Sequence, residues 1–258
     1  MSAIDRLAPL LDVPLPDAVG GAAAGPFVDL VEGRPGSRGR IQDLWESRGG
    51  AGFYDRLIGA GDRVRDSVPD LTYGGLVRDF YGVARRLDLV GGETVLDLAC
   101  GPGTLTRHLA DAAGTDGLVV GADLSPAMLT RAARAVPAAN TVFVRADAMA
   151  LPLHDACLDA VCCSLCLQLV PDLDTALAQI RRVLRPGGRL AVTVPAHGRG
   201  PFRVLTEVLA RGGQARLFGR GELADALVRH GFVRVATRWD SVMQIVDAVA
   251  PGAAPPRG

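Results

Sequence analysis

From Glu93 to Val194 the chain alternates between short apolar runs and amphipathic segments, and this alternation constrains the fold more than any other feature of the sequence. The apolar runs are too short for helices of ordinary length, and turn-forming residues follow them, so they are predicted to be buried strands. The amphipathic segments between them have helical spacing. Strands that alternate with helices predict an α/β fold with a doubly wound, mainly parallel sheet.

Seven strands are predicted, and the last two are expected to pair in antiparallel orientation: Thr94–Leu98, Leu118–Ala122, Thr141–Arg145, Leu158–Leu165, Arg189–Val194, Phe232–Arg238 and Ser241–Val246. The helices that the spacing predicts around them cover Leu105–Ala113, Pro126–Ala135, Asp174–Leu184, Phe202–Arg211 and Gly221–His230. A Pro186-Gly187-Gly188 sequence is expected to end the third of these helices and to separate it from the fifth strand.

The segments that flank this core are patterned differently. Residues 1–45 are dense in proline and glycine, which predicts short helices and loops, whereas residues 52–88 have helical spacing. We therefore expect residues 1–90 to form an N-terminal extension and helical cap, residues 91–248 to form the core domain, and residues 249–258 to be a disordered tail.

Composition excludes several classes of function. All 28 basic residues are arginine, so a phosphate-binding loop of the Walker type and a Schiff-base lysine are both excluded. The formal net charge is zero, which argues against a nucleic-acid partner. The apolar runs are too short to span a membrane, the first ten residues lack the apolar segment of a secretory signal, and the odd cysteine count favours reduced thiols. A cytoplasmic protein, monomeric or homodimeric, is expected.

A glycine-containing turn follows the first predicted strand in the sequence Val95-Leu-Asp-Leu-Ala-Cys-Gly-Pro-Gly-Thr104. A dinucleotide site would need a third glycine where Thr106 stands, and a pyrophosphate would gain nothing from the nearby Asp97 carboxylate. A ligand that carries a sulfonium and an ammonium group would gain from that carboxylate. The turn therefore favours S-adenosylmethionine over NAD, so that a nicotinamide-dependent oxidoreductase is the less favoured class.

Two further aspartates end the second and third predicted strands. Asp123 lies 20 residues beyond Gly103, where a carboxylate can accept hydrogen bonds from both ribose hydroxyls. Asp147 can accept from the exocyclic amino group of adenine, while Leu124 and Met128 can pack on its ring. Each aspartate alone would be read as a turn or capping residue, but three of them at successive strand ends fit one bound nucleoside.

Five motifs in this order resemble those of class I S-adenosylmethionine-dependent methyltransferases, in the group of small-molecule enzymes similar to those of ubiquinone and menaquinone biosynthesis. The resemblance covers roughly residues 50–245, and its motifs are VLDLACGPGT at 95–104, GADLSPAML at 121–129, ADAMALPL at 146–153, LDAVCCSLCLQLVPD at 158–172 and LRPGGRLAV at 184–192. It implies a seven-stranded sheet in the order 3-2-1-4-5-7-6 with strand seven antiparallel. It also implies S-adenosylmethionine as cofactor and S-adenosylhomocysteine as product.

The resemblance also assigns residues to the cofactor. Asp97, Ala99, Gly101 and Gly103 would frame its methionine half, and Asp123 its ribose. The adenine would be held by Leu124, Asp147, Ala148 and Met149. The backbone of Cys163 would face the amino group of the cofactor, and Tyr54 is similar to an N-terminal tyrosine that contacts cofactor in relatives.

Residues for the acceptor and for catalysis are less well defined by the sequence. Gln168 follows the fourth predicted strand, and Tyr73 and Tyr81 lie in the predicted cap, so all three are candidate acceptor contacts. His197 follows the fifth strand and is a candidate general base, although a solvated loop histidine is the commoner situation. Cys163 and Cys166 form a C-x-x-C sequence, but residues three apart on a strand face opposite ways, so buried thiols without a metal are expected unless the strand ends between them.

The predicted function is methyl transfer from S-adenosylmethionine to an oxygen, nitrogen or carbon atom of a small apolar or aromatic molecule. The alternative is a repurposed methyltransferase fold: a pericyclase, a decarboxylase, or a non-catalytic protein that binds S-adenosylmethionine or S-adenosylhomocysteine.

Overall fold

The computed structural model describes residues 1–16, 25–31, 83–195, 216–240 and 243–252. These residues form one eight-stranded sheet with helices on both faces. Its strands are β1 (Val28–Asp29), β2 (Thr94–Leu98), β3 (Leu118–Asp123), β4 (Thr141–Arg145), β5 (Leu158–Ser164), β6 (Leu184–Pro195), β7 (Val233–Asp240) and β8 (Met243–Val249). The helices are α1 (Ala3–Leu7), α2 (Thr104–Ala113), α3 (Pro126–Ala135), α4 (Leu173–Val183) and α5 (Glu222–Arg229). No helix in these residues is both long and apolar enough to cross a membrane.

The strand order is β1-β4-β3-β2-β5-β6-β8-β7, and β8 runs antiparallel to both of its neighbours. The predicted order of seven strands is therefore confirmed, with one addition. The extra strand β1 is two residues long and pairs in parallel with the end of β4. Only short helices and loops are predicted there, because two residues among glycines and prolines are too few to show a strand period.

Both faces of the sheet are covered, as a mainly parallel sheet requires. One face packs against α1, α4 and α5, in a core that contains Leu7, Leu177 and Leu227. The other face packs against α2 and α3, with Leu109 and Leu129 buried against it. Because both faces are buried, the central strands read as continuous apolar runs, which is why their predicted and observed bounds agree closely.

The Pro186-Gly187-Gly188 sequence does not separate α4 from the next strand as expected. β6 begins at Leu184, directly after α4, and the four residues that follow form an irregularity in its pairing with β5. The Gly187 N–H donates to the Ala250 carbonyl at 3.0 Å, and the Ala250 N–H donates to the Gly188 carbonyl at 2.8 Å. The glycines therefore let the strand bend while it remains bonded to the chain beyond β8.

The N-terminal residues that the structure describes pack on the core sheet. Leu7 is fully buried in the core on the α4 and α5 face, and Leu11 pairs with Leu153. Ser2 caps the N-terminus of helix α1: its side chain accepts from the Asp5 N–H while the Asp5 carboxylate accepts from the Ser2 N–H. The helical cap expected over residues 52–88 lies almost wholly outside the described residues, so that the division at residue 90 stays a prediction.

Candidate cofactor site

The turn after β2 holds alternate residues in the left-handed conformation. Ala99, Gly101 and Gly103 have φ values of 60°, 53° and 85°. Only glycine adopts this conformation without steric cost, so Ala99 pays about 1–2 kcal/mol for it. A Cβ atom on Gly103 would lie 3.0 Å from Val136 Cγ2 and 3.2 Å from Ala132 Cβ, so this glycine lets α2 begin close to α3.

Asp97 lies on β2 just before this turn and is almost completely buried. The Thr106 hydroxyl, on the first turns of α2, donates to Asp97 Oδ2 at 2.6 Å. Burial raises the pKa of Asp97 to about 7, and the neighbouring charge of Asp123 adds to the rise, while the bond from Thr106 opposes it. The ionised form of Asp97 is therefore destabilised by burial, and a nearby cation would stabilise it.

Asp123 ends β3 and ties two loops together. Its Oδ2 accepts from the Gly101 N–H at 2.9 Å, and its Oδ1 accepts from the Ser125 N–H at 2.8 Å. Burial raises its pKa, although these backbone bonds and one from Leu124 oppose the rise. Its side chain remains partly accessible, and a carboxylate has about four lone-pair positions, so it has capacity to accept from a ligand as well.

Asp147 follows β4 and shapes the next loop. Its Oδ1 accepts from the Met149 N–H at 2.9 Å, and its backbone carbonyl accepts from the Ala150 N–H at 3.0 Å. This is the geometry of a turn aspartate, the commoner of the two roles that its position suggested. Asp147 therefore orders the Ala148 and Met149 segment, whose proposed contact with adenine stays a prediction.

The three aspartates lie at one edge of the sheet, as their positions at successive strand ends predicted. β2, β3 and β4 are adjacent and parallel, so their carboxyl ends meet there. Leu98 of β2 lies beside Cys163 of β5, so that Cys163 joins the same edge from the other side. The assigned residues Leu124 and Met128 follow β3; Leu124 is partly buried and Met128 is nearly fully buried in α3.

The end of β5 explains the behaviour of its cysteines. The strand ends at Ser164, and Leu165 has a φ of 55°, so the chain turns between Cys163 and Cys166. The two thiols come close enough to hydrogen-bond, and this bond together with burial raises the pKa of Cys163 well above its usual range. Because the strand ends between them, Cys163 and Cys166 can face the same side. Among the described residues, no three His, Cys, Asp or Glu side chains are grouped as metal ligands would be.

Buried polar side chains continue along this edge beyond β5. Ser164, Gln168, Thr193 and Gln244 are all buried, and each has a polar atom with no hydrogen-bond partner in the described part of the chain. Of these, only Gln168 is among the candidate residues predicted from the sequence. Tyr54, Tyr73, Tyr81 and His197 lie outside the described residues, so their assigned roles stay predictions.

Thr106, the partner of Asp97, is not among the site residues predicted from the sequence. A signal was present, because Thr106 occupies the position where a dinucleotide site would have its third glycine. Thr106, which departs from the dinucleotide-binding pattern, thus supplies the hydrogen bond to Asp97. Thr193 and Gln244 had no comparable signal, since a single polar residue in a strand does not show which ends of the sheet will meet.

Parts of the chain are similar to known proteins. A model of the methyltransferase domain matches residues 96–192. The 2-phytyl-1,4-naphtoquinone methyltransferase of Synechococcus elongatus is 43% identical over 146 residues, which cover 55% of this chain and 61% of the relative. The matched segments span 32% to 61% of the length of the first relatives found.

Solved structures show the same fold. An S-adenosylmethionine dependent methyltransferase from Mesorhizobium loti is 24% identical with a TM-score of 0.54, over 65% of this chain and 95% of that one. The [4+2]-cyclase SpnF is 22% identical with a TM-score of 0.56, over 66% of this chain and 79% of that one. Residues 96–192 thus match the methyltransferase domain, and the sheet that contains them has the fold seen in S-adenosylmethionine-dependent methyltransferases.

Proposed function

We propose that this protein binds S-adenosylmethionine at the edge formed by β2, β3 and β4 and transfers its methyl group to a small aromatic acceptor. The observation that carries the proposal is the pair of carboxylates, Asp97 and Asp123, beside the turn at Gly101. Burial raises the pKa of both, and no basic side chain of the described residues forms an ion pair with either. A ligand with a sulfonium and an ammonium group would supply the missing positive charge.

The residues present fit such a ligand in two further respects. Asp123 retains acceptor capacity for the ribose hydroxyls, and its bonds to the Gly101 and Ser125 N–H groups fix its orientation before any ligand binds. The Asp147 turn presents the backbone of Ala148 and Met149 at the neighbouring strand end, where an adenine ring would lie across the sheet. Preorganised contacts of this kind reduce the entropy lost on binding.

We propose a hydroquinone ring as the acceptor, since the relative from Synechococcus is named for a 1,4-naphtoquinone substrate. A methyl group bound to a sulfonium is transferred as a carbon electrophile, so the acceptor must be the electron-rich reduced ring. A ring carbon would form the new bond as the sulfur–methyl bond breaks, and that carbon would then lose its proton. The protein would contribute alignment above all, and His197 is the candidate to take the proton.

Calorimetry and a product assay test this proposal. The purified protein should bind S-adenosylmethionine and S-adenosylhomocysteine with a Kd below about 1 mM, and it should add one methyl group to the reduced form of a 2-alkyl-1,4-naphthoquinone. Asp123→Asn is the matched control, because an amide keeps the size of the side chain and loses its charge. Folded protein that binds neither compound would contradict the cofactor assignment, and turnover without consumption of S-adenosylmethionine would indicate repurposed chemistry.

A further inference from the structure

The β1 segment, residues 25–31, lies beside the end of β4, far upstream of the core in sequence. Val28 pairs with Val144 and Asp29 pairs with Arg145 in parallel register. The pairing continues past β1, where the Leu30 N–H donates to the Arg145 carbonyl at 3.1 Å. Because the carboxyl ends of parallel strands meet at one edge of a sheet, the β1 segment reaches the edge proposed to bind the cofactor.

This segment is anchored on both faces of the sheet. Val28 and Leu30 are buried in the core on the α1 face. Phe27 packs on the other face, against a cluster that contains Phe143. Side chains alternate between the two faces along a strand, so burial on either side of Asp29 fixes the direction of its side chain as well.

The Arg145 guanidinium connects the β1 segment to the loop that follows β3. Its Nη1 donates to Asp29 Oδ2 at 3.1 Å, and its Nε donates to the Leu124 carbonyl at 3.0 Å. Asp29 is held in turn, since its Oδ1 accepts from the Val31 N–H at 3.0 Å. A guanidinium is planar and rigid, so bonds to acceptors on two different segments fix the position of one segment relative to the other.

The Leu124 backbone is thereby held at both its N–H and its carbonyl. The N–H donates to the Asp123 carboxylate, and the carbonyl accepts from Arg145. The Ala146 N–H also donates to the Asp123 carbonyl at 3.1 Å, so β4 supports this loop at two points. Asp123 is the proposed acceptor for the ribose and Leu124 is assigned to adenine, so a shift of the loop would disturb both contacts.

We propose that Arg145 is a positioning residue for S-adenosylmethionine, and that the β1 segment sets the affinity of the cofactor site through it. Arg145 acts by holding the Leu124 carbonyl, and Asp29 acts by holding Arg145. This inference rests on the proposed function and concerns the regulation of that same site. Coupling between two sites is reciprocal, so cofactor binding should also stabilise the β1 segment.

The first test compares Arg145→Met with Arg86→Met. Arg86 pairs with Asp247 at 2.5 Å, and their side chains are 18% and 26% exposed, against 22% and 35% for Arg145 and Asp29. Asp247 lies on β8, which three strands separate from β3. Both substitutions should lower the Tm, because each breaks a partly buried ion pair. Only Arg145→Met should raise the Kd for S-adenosylhomocysteine, by about tenfold, while Arg86→Met keeps it within about twofold of wild type.

Asp29→Asn tests the same connection from its other end. Asparagine matches the size of aspartate and keeps an oxygen for the Val31 N–H, but it loses the charge that pairs with Arg145. Within the described residues, Asp29 has no hydrogen bond to the loop after β3, so its effect must pass through Arg145. The Kd should rise about threefold in the wild-type background and should not rise further in Arg145→Met. Asp247→Asn is the matched control and should leave the Kd unchanged.

Amide hydrogen exchange measures the reciprocal effect. The N–H groups of Leu30 and Val31 are both hydrogen-bonded, so their exchange reports on the β1 segment. Saturating S-adenosylhomocysteine should slow their exchange in wild type, and Arg145→Met should abolish this slowing. An ion pair that served stability alone would change the exchange of the free protein without making it depend on the ligand.

The outcomes separate this inference from the proposed function. If wild type binds S-adenosylhomocysteine and Arg145→Met binds it equally well, the inference is overturned and the cofactor assignment stands. The same holds if the ligand gives the β1 segment no protection. Failure of folded wild type to bind S-adenosylhomocysteine would contradict the proposed function and this inference with it. If Arg145→Met does not fold, an unchanged Kd in Asp29→Asn is by itself sufficient to overturn the inference.

Discussion

The two halves of the proposed ligand-binding edge satisfy their polar groups in different ways. In the half formed by β2, β3 and β4, each of the three aspartates is bonded from within the protein: Asp97 by Thr106, Asp123 by Gly101 and Ser125, and Asp147 by Met149. In the half formed by β5, β6 and β8, buried polar groups lack partners among the described residues.

This difference separates a preorganised half from a half that a ligand would complete. Carboxylates held by backbone N–H groups keep one orientation and can accept a ligand without rearrangement. Amides and hydroxyls without partners favour a ligand that can form the hydrogen bonds they lack. A cofactor common to many enzymes suits the first arrangement, and an acceptor specific to one enzyme suits the second.

The largest effect is expected from Asp123→Ala. This change removes the proposed acceptor for the ribose and also leaves the Gly101 and Ser125 N–H groups without their partner, so the turn and the proposed ligand contact would be lost together. Affinity for S-adenosylhomocysteine should fall at least a hundredfold, about 3 kcal/mol. Calorimetry measures it, and a fall of less than fivefold in folded protein would show that Asp123 serves only the turn.

A pH-dependent effect is expected from Asp97→Asn. The pKa of Asp97 is raised to about 7 in the folded protein, so the folded state binds an extra proton at pH values between the unfolded pKa and 7. The contribution of this group to stability therefore declines as the pH rises through that range and is constant above it. The free energy of unfolding of Asp97→Asn, taken relative to that of wild type, should rise by roughly 2–3 kcal/mol between pH 5 and pH 8.

Urea unfolding at the two pH values measures this gain. The comparison within each pH value removes the contribution of all other titrating groups, since both proteins share them. A difference between variant and wild type that is the same at pH 5 and pH 8 would mean that Asp97 has an ordinary pKa.

Opposite effects are expected from the same substitution at two buried threonines. Thr106→Val removes the hydrogen bond from the Thr106 hydroxyl to the buried Asp97 carboxylate and should destabilise the protein by about 2 kcal/mol. Thr193→Val removes a hydroxyl that has no partner in the described residues and should stabilise it by about 1 kcal/mol. The denaturant midpoints of the two variants give both values. Changes in unfolding free energy of the same sign would contradict the contrast between the two halves.

The smallest effect is expected from Ala99→Gly. Glycine relieves the left-handed conformation at this turn, but it also gives the unfolded chain more freedom, so the net gain should stay below about 1 kcal/mol. Ala156, at an exposed turn, has a φ of 52° and serves as the matched control. Ala156→Gly should give a similar gain in unfolding free energy. A clear loss of stability in Ala99→Gly alone would show that its methyl group contributes packing to the turn.

The preorganised half was the more predictable of the two. Its aspartates lie within or just after short apolar runs, so that local patterns indicate both the strand ends and the acidic residues at the shared edge. The second half depends on β8, which pairs with β6 from about 50 residues further along the chain. Gln244 reaches the edge only because β8 runs antiparallel, and no local pattern around that residue shows its direction. The β6 irregularity was hidden for a related reason, since proline and glycine mark a turn and a bent strand alike.

Strand β1 also determines how the sheet meets other molecules. The outer edge of β4 would offer unpaired N–H and C=O groups to a strand of another chain, which is a common start of aggregation. Val28 and Asp29 cover the end of that edge, and Arg145 forms an ion pair with Asp29 at 3.1 Å that holds the segment in place. At the other side of the sheet, β7 carries the exposed Arg234 and Arg238, whose like charges oppose the approach of a second copy. The two margins of the sheet thus differ: a paired strand of two residues covers one, and two exposed positive charges lie at the other.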